Sequence, residues 1–168
     1  MKARLLLILI GIQISSAVFA EQDKQNRLKQ IAREVISAAG VSSLITVDSE
    51  GQPRSRAVAS FEPDDNFVVW IATRPVTRKV DQIRDHKQVT LYYFDSATNS
   101  YVSIMGQAEL VEDVDVKTKM RREQDSERFY PNFPDDYLLI KVTPSWMEVL
   151  GGEFRGDTET WRPERVDF

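Results

Sequence analysis

The sequence has no cysteine and only one histidine, His86, in its 168 residues. Without cysteine it can form no disulfide framework, thiol nucleophile, zinc-thiolate site, iron–sulfur centre or lipoprotein anchor. A single histidine excludes a multi-histidine metal site. His86 follows a short predicted helix, where a dipole-compatible surface residue is the ordinary reading. There is no Gly-x-Ser-x-Gly elbow for a Ser-His-Asp hydrolase. The acidic pairs Asp64-Asp65 and Asp135-Asp136 sit in turn-rich stretches, without the alternating oxygen ligands of a calcium loop. Basic excess is also missing: 22 Lys+Arg face 26 Asp+Glu, for a net charge of −4. That balance lacks the phosphate-neutralising term of a nucleic-acid binder. The remaining composition, 42% hydrophobic and 29% charged, is that of a globular domain. Hard chemistry in such a chain would call for a borrowed cofactor.

The first twenty residues form a separate unit. Lys2 and Arg4 precede an apolar run from Leu5 to Ile14, and small or β-branched residues at Val18 and Ala20 lead to the polar stretch from Glu21. This is the pattern of a Sec-type secretory signal peptide over residues 1–20, cleaved after Ala20. The run is roughly half of the ~20 apolar residues a membrane span needs, so no membrane anchor remains after cleavage. The expectation is a secreted or periplasmic protein. Removing 20 of 168 residues leaves 148, and losing two basic and no acidic residues lowers the charge from −4 to −6.

No repeat, low-complexity tract or long linker divides residues 21–168, which read as a single domain. Leu28, Ile31, Ala32, Val35, Ile36 and Ala39 recur at helical spacing and predict a helix over 23–39, stopped by Gly40. Strands are predicted at 43–48, 54–61, 67–73, 89–95, 101–111, 137–142 and 146–150, with short helices at 77–85 and 113–123. The near-continuous apolar run at 67–73 predicts a central strand. Gly106, inside an otherwise good strand, predicts a bulge or a close backbone approach. Tight turns and few helices give a mainly β (α+β) fold, a six- to seven-stranded antiparallel barrel.

One segment breaks a local rule. Thr73-Arg74-Pro75-Val76-Thr77-Arg78-Lys79 leaves a strand and enters a helix with Thr77 as its N-cap. The first turn carries the positive end of the helix dipole and free N–H groups, yet Arg78 and Lys79 stand there with Arg74 just before. A bound phosphate would resolve the conflict; long side chains turned to solvent would also tolerate it. Nearby, strand alternation puts Arg54 and Arg56 on one face and Ser55, Ala57 and Ala59 on the other. Such a strand can back a ligand or simply face water.

Five motifs in this order resemble the pyridoxamine 5′-phosphate oxidase-like, FMN-binding split β-barrel family. They are Gly51-x-Pro53-x-x-Arg56-x-Val58, Trp70-Ile71-Ala72-Thr73, Thr77-Arg78-Lys79-Val80-x-Gln82-Ile83, Val89-Thr90-Leu91-Tyr92-Tyr93 and Tyr101-Val102-x-x-x-Gly106-x-Ala108. The small general-stress-protein-type members are the most similar. The resemblance implies a split barrel and a homodimer with FMN in clefts between subunits. It implies Arg78 and Lys79 on the FMN phosphate, beside Thr77. Arg56, with Ala57 and Val58, would line the phosphate and ribityl side, and Ala72 and Thr73 would lie near the isoalloxazine. Tyr101 stands where the oxidase has a flavin-contacting glutamine, and Trp161 is placed to pack over the flavin edge or in the protein itself. The departures are substantial: Phe61 replaces the substrate lysine, the substrate-phosphate segment is unrecognisable in 117–134, and Glu159-Thr160-Trp161-Arg162-Pro163 replaces the terminal Arg-Leu-His. They argue against vitamin B6 oxidation. The expectation is an exported FMN-dependent oxidoreductase acting on a small-molecule substrate or electron donor. The alternative is a non-catalytic split barrel that carries or senses FMN, haem or another anionic ligand.

Overall fold

The computed structural model describes residues 2–168, with side chains from Val18 onward; most of the predicted secretory segment lies outside the described side chains. The elements in chain order are α1 (Lys2–Ala39), β1 (Ser42–Val47), β2 (Pro53–Val58), β3 (Val69–Thr73), α2 (Arg78–Asp85), β4 (Gln88–Asp95), β5 (Ser100–Val111), α3 (Val114–Met120), β6 (Leu138–Leu150) and β7 (Glu164–Asp167). The strands form one antiparallel sheet in the order β2-β1-β4-β5-β6-β3, with β7 added on β6. The sheet curls without closing. Its two ends meet where Ser60 bridges Ile71 and the Phe61 N–H donates to the Trp70 carbonyl at 2.8 Å. This is a split barrel.

The helical face read from the sequence is the one that packs. Leu28, Ile31, Ala32, Val35 and Ile36 are all buried, and α1 covers β4 and β5 with them. Each large apolar side chain so buried contributes roughly 1.5–3 kcal/mol. The chain leaves α1 through Gly40 at φ 66°, a left-handed conformation that suits glycine. Val58, Leu44, Leu91, Ile104, Val142 and Met147 continue this core through the barrel. A second, smaller core joins Tyr130, Tyr137 and Leu139 to Phe61, Trp70 and Val116.

Three expectations are corrected. β3 is not central: it pairs only with β6 within the sheet, and its apolar run arises because Val69 and Ile71 face the main core while Trp70 and Ala72 face the second. The predicted strands 137–142 and 146–150 are one strand, β6. A register shift at Met105/Gly106 skips Ser145 and accommodates Pro144, which has no N–H for a regular ladder. The tail contains β7, whose sequence Glu164-Arg165-Val166-Asp167 offers Val166 alone to the core. The reading of Gly106 holds on both counts, since a Cβ there would lie 2.4 Å from the Thr143 carbonyl oxygen.

Candidate functional site

The seam between the sheet's ends, roofed by the segment after α3, encloses a cavity of about 450 Å³. β2 and its continuation supply Ala57, Val58 and Ala59; β3 supplies Ala72 and Thr73; the β3–α2 turn supplies Arg74, Thr77 and Lys79. Small side chains on β2 and β3 leave the space open. The far wall comes from Arg122, Gln124, Asp125, Phe129 and Tyr130.

Thr77 sits at the N-cap position of α2 but its side chain does not cap the helix. Its hydroxyl lies 3.0 Å from the Arg74 carbonyl and 3.2 Å from Thr73 Oγ1. Lys79 Nζ donates to Thr73 Oγ1 at 2.9 Å and to Thr77 Oγ1 at 3.2 Å. The first turn of α2 therefore keeps its N–H groups without a side-chain acceptor. Asp81, the acidic residue of that turn, pairs with Arg84 at 3.0 Å.

Beneath this turn, Arg56 Nη1 donates to Thr46 Oγ1 at 2.6 Å and to the Leu44 carbonyl at 3.2 Å, and Nη2 donates to Gln82 Oε1 at 2.8 Å. Every partner is neutral. Burial lowers the pKa of Arg56, and the charges of Arg78 and Arg54 lower it further. Burial likewise lowers the pKa of Lys79, and Arg56 adds to it. Arg54 is different: it stands on the exposed strand end and pairs with Asp48 at 2.7 Å. Among the described residues, Arg56, Arg78 and Lys79 have no carboxylate within ion-pair distance. Arg56 and Lys79 are half-buried cations with only neutral partners, an arrangement whose charge an anion could complement; Arg78 is exposed.

Six of the ten residues singled out in the sequence line the cavity: Ala57, Val58, Ala72, Thr73, Thr77 and Lys79. Arg56 lies behind them, bonded into the barrel. Arg78 points elsewhere, since neighbouring helix residues diverge by roughly 100°; it lines a separate depression with Glu50, Arg54 and Asp85. Tyr101 lies on the outer sheet face against Tyr92, ring centroids 5.5 Å apart. Trp161 is 81% exposed beside Arg155 and Asp157. Neither reaches the cavity within one chain.

Sequence reasoning missed the far wall. Arg122 Nε and Nη2 grip the Asp125 carboxylate at 3.1 and 3.0 Å, Tyr137 donates to Asp125 Oδ2 at 3.0 Å, and the Arg122 guanidinium stacks 3.8 Å above the Phe61 ring. Arg122 Nη1 also reaches the Ala59 carbonyl at 3.2 Å, tying this wall to the end of β2. Burial pushes the Asp125 carboxyl up, but its bonds from Arg122 outweigh that and leave its pKa below the ordinary value. The available signal was the aromatic and proline content of Phe129-Tyr130-Pro131-Asn132-Phe133-Pro134, too apolar for a solvated linker.

The sequence profile of the pyridoxamine 5′-phosphate oxidase family matches residues 28–151. No curated protein sequence matches the chain. Among solved structures, general stress protein 26 from Bacillus anthracis str. Sterne is similar at 23% identity and TM-score 0.66, over 84% of this chain and 98% of that one. A pyridoxamine 5′-phosphate oxidase-related, FMN-binding protein from Nostoc punctiforme is similar at 15% identity and TM-score 0.57, over 85% and 93%. A heme-binding protein from Mycobacterium smegmatis is similar at 14% identity and TM-score 0.61, over 81% of this chain and 56% of that one. At these identities the structures establish the split-barrel fold.

Proposed function

The chain belongs to the pyridoxamine 5′-phosphate oxidase family, and on that premise we propose that it is an exported FMN-binding flavoprotein, an oxidoreductase that works on something other than vitamin B6. One observation carries the reading: Lys79, half-buried on the cavity wall, holds its ammonium against two threonine hydroxyls, with Arg56 behind it and no carboxylate in ion-pair reach. A phosphate monoester fits that gap in charge and in hydrogen-bonding capacity. Bound there, FMN would supply the electron and hydride chemistry. The chain's part is to hold the phosphate with Lys79, Thr73 and Thr77, to keep Arg56 braced behind them, and to leave a shallow apolar wall of Ala57, Val58 and Ala72 for a flat ring. The cavity lining contains no histidine or methionine, so the ligand it could offer a haem iron is the Tyr130 phenol.

The outer face of the sheet supports a homodimer. Ile45, Thr90, Met105 and Trp146 stand in one cross-strand row, flanked by Tyr92 and Tyr101. Arg165 of β7 stacks 4.3 Å over the Trp146 ring, and Ile45, Thr90, Met105, Tyr92 and Tyr101 are half-exposed. Dimerisation through this face is also how Tyr101 could approach a partner's cavity. Export is supported by where the N-terminal helix begins to touch the domain. Val18 and Phe19 are 63% and 73% exposed, and among the described side chains the first ion pair to the domain is Lys24–Glu164 at 2.8 Å. Of the segment that cleavage after Ala20 would remove, the described side chains, Val18 to Ala20, are all exposed.

The test is the visible spectrum of the mature protein recovered from the periplasm. Flavin absorption, or its appearance after adding FMN, is the expected result. A colourless protein that takes up no FMN would refute the reading, and a Soret band would replace it with haem.

A further inference from the structure

The far wall of the cavity contains two polar groups that nothing in the protein uses. Tyr130 is only 8% exposed, yet its hydroxyl makes no hydrogen bond to any described residue. Its ring is held edge-on to Tyr137, centroids 4.7 Å apart at 80°, and Tyr137 is fixed in turn by Asp125 and Arg122. The hydroxyl is therefore a stationary group on the cavity lining. Burial raises its pKa, so it stays protonated and can donate. Arg74 lines the same cavity and makes no ion pair or side-chain hydrogen bond with a described residue. Arg74 and Tyr130 line the one cavity, where the Asp125 carboxylate is already paired with Arg122. Phe129, 56% exposed with the Arg128 guanidinium 5.7 Å from its ring centroid, adds an aromatic ring to a lining that also contains Ala57, Ala59 and Ala72.

We propose that this half of the cavity is the subsite for the reaction partner, and that the partner is a small planar molecule bearing a carboxylate. Arg74 pairs with the carboxylate, Tyr130 donates a hydrogen bond to it, and the ring lies against Phe129. The inference rests on the FMN reading only for what lies next to the subsite. Its recognition chemistry belongs to Arg74, Phe129 and Tyr130 alone.

Titration calorimetry with benzoate tests it, on protein saturated with FMN and on flavin-free protein, with benzyl alcohol as the uncharged probe. Benzoate should bind with FMN in place and perturb the flavin spectrum, with benzyl alcohol weaker by about tenfold or more. Tyr130→Phe keeps the ring packing, and it and Arg74→Gln should each weaken benzoate by about tenfold while FMN affinity stays within about twofold. Failure of benzoate to bind, equal binding to wild type and both variants, or displacement of FMN by benzoate would each overturn the subsite. If the protein takes up no FMN, the cofactor reading fails by itself. The flavin-free titration still decides the subsite: loss of benzoate binding in Tyr130→Phe supports it, and unchanged binding overturns it.

Discussion

Replacing Lys79 by methionine should move ligand affinity and apoprotein stability in opposite directions. Methionine keeps the packing of the aliphatic stem and removes the ammonium that donates to Thr73 and Thr77. With phosphate bound, a hydrogen bond to a charged group of this kind contributes about 1.5–3 kcal/mol, so FMN should bind roughly 10–150-fold more weakly. Riboflavin lacks the phosphate and should be nearly indifferent. Without ligand the sign reverses. Burial, and then Arg56, place the folded-state pKa of Lys79 below its ordinary 10.5. The charged form is thus disfavoured by folding at neutral pH, and the penalty is relieved only as pH rises from the folded value toward 10.5. The flavin-free variant should match or exceed wild type in stability at pH 7, and its stability should rise less with pH over that alkaline window. Fluorescence titration with FMN and riboflavin, beside urea denaturation of the apoprotein, reads both effects. Equal losses for FMN and riboflavin, or a clear loss of apoprotein stability, would show that Lys79 is a structural residue and refute the phosphate site.

Gly106→Ala should destabilise the β5–β6 pairing by about 1–3 kcal/mol, because the added methyl meets the Thr143 carbonyl oxygen at 2.4 Å; urea denaturation measures it. Asp125→Asn should cost about 3 kcal/mol at pH 7 by unpairing Arg122. Because the Asp125 pKa is lowered by folding, its stabilisation is present above the ordinary 3.8 and lost as pH falls through the folded value, so the gap between wild type and variant should close in acid. If residues 2–20 are a leader, deleting them should leave the urea midpoint within an equivalent of about 0.5 kcal/mol; the described side chains there, Val18 to Ala20, are exposed, and a large loss would show that the segment belongs to the fold. Met105→Glu, at the centre of the outer row, should convert a dimer to a monomer by light scattering while leaving the barrel folded.

What the sequence revealed, and what it concealed, divides along physical lines. The α1 face, the strands and Gly106 were legible because they rest on periodicity and local backbone geometry. The edge position of β3 was not, because a strand between two cores has the same apolar pattern as a central one. β6 looked broken at Pro144, and only the partner strand's bulge explains how a residue without an N–H sits inside it. The Lys79 end of the cavity was readable from a local conflict, cations at a helix start. The Arg122–Asp125–Tyr137 wall breaks no local rule. It makes sense only across the fold, where Arg122 meets Phe61 and the end of β2 from some sixty residues away in sequence.

That division also bears on why the cation cluster should be counted as functional. The chain has more carboxylates than cations and pairs them freely: Lys24 with Glu164, Arg27 with Glu153, Arg54 with Asp48, Arg84 with Asp81, Arg122 with Asp125 and Arg165 with Asp167. Asp81 shares the first turn of α2 with Arg78 and Lys79, yet it faces Arg84. A cluster kept only for stability would have drawn in such a neighbour, because a half-buried cation without a counter-ion lowers the stability of the fold that contains it. Arg56 is instead braced by a carbonyl, a hydroxyl and an amide, and Lys79 by two hydroxyls, all of which orient a positive charge without cancelling it. An anion arriving from outside the chain would stabilise the arrangement, so on the proposed reading binding affinity at this site and instability without ligand have the same origin.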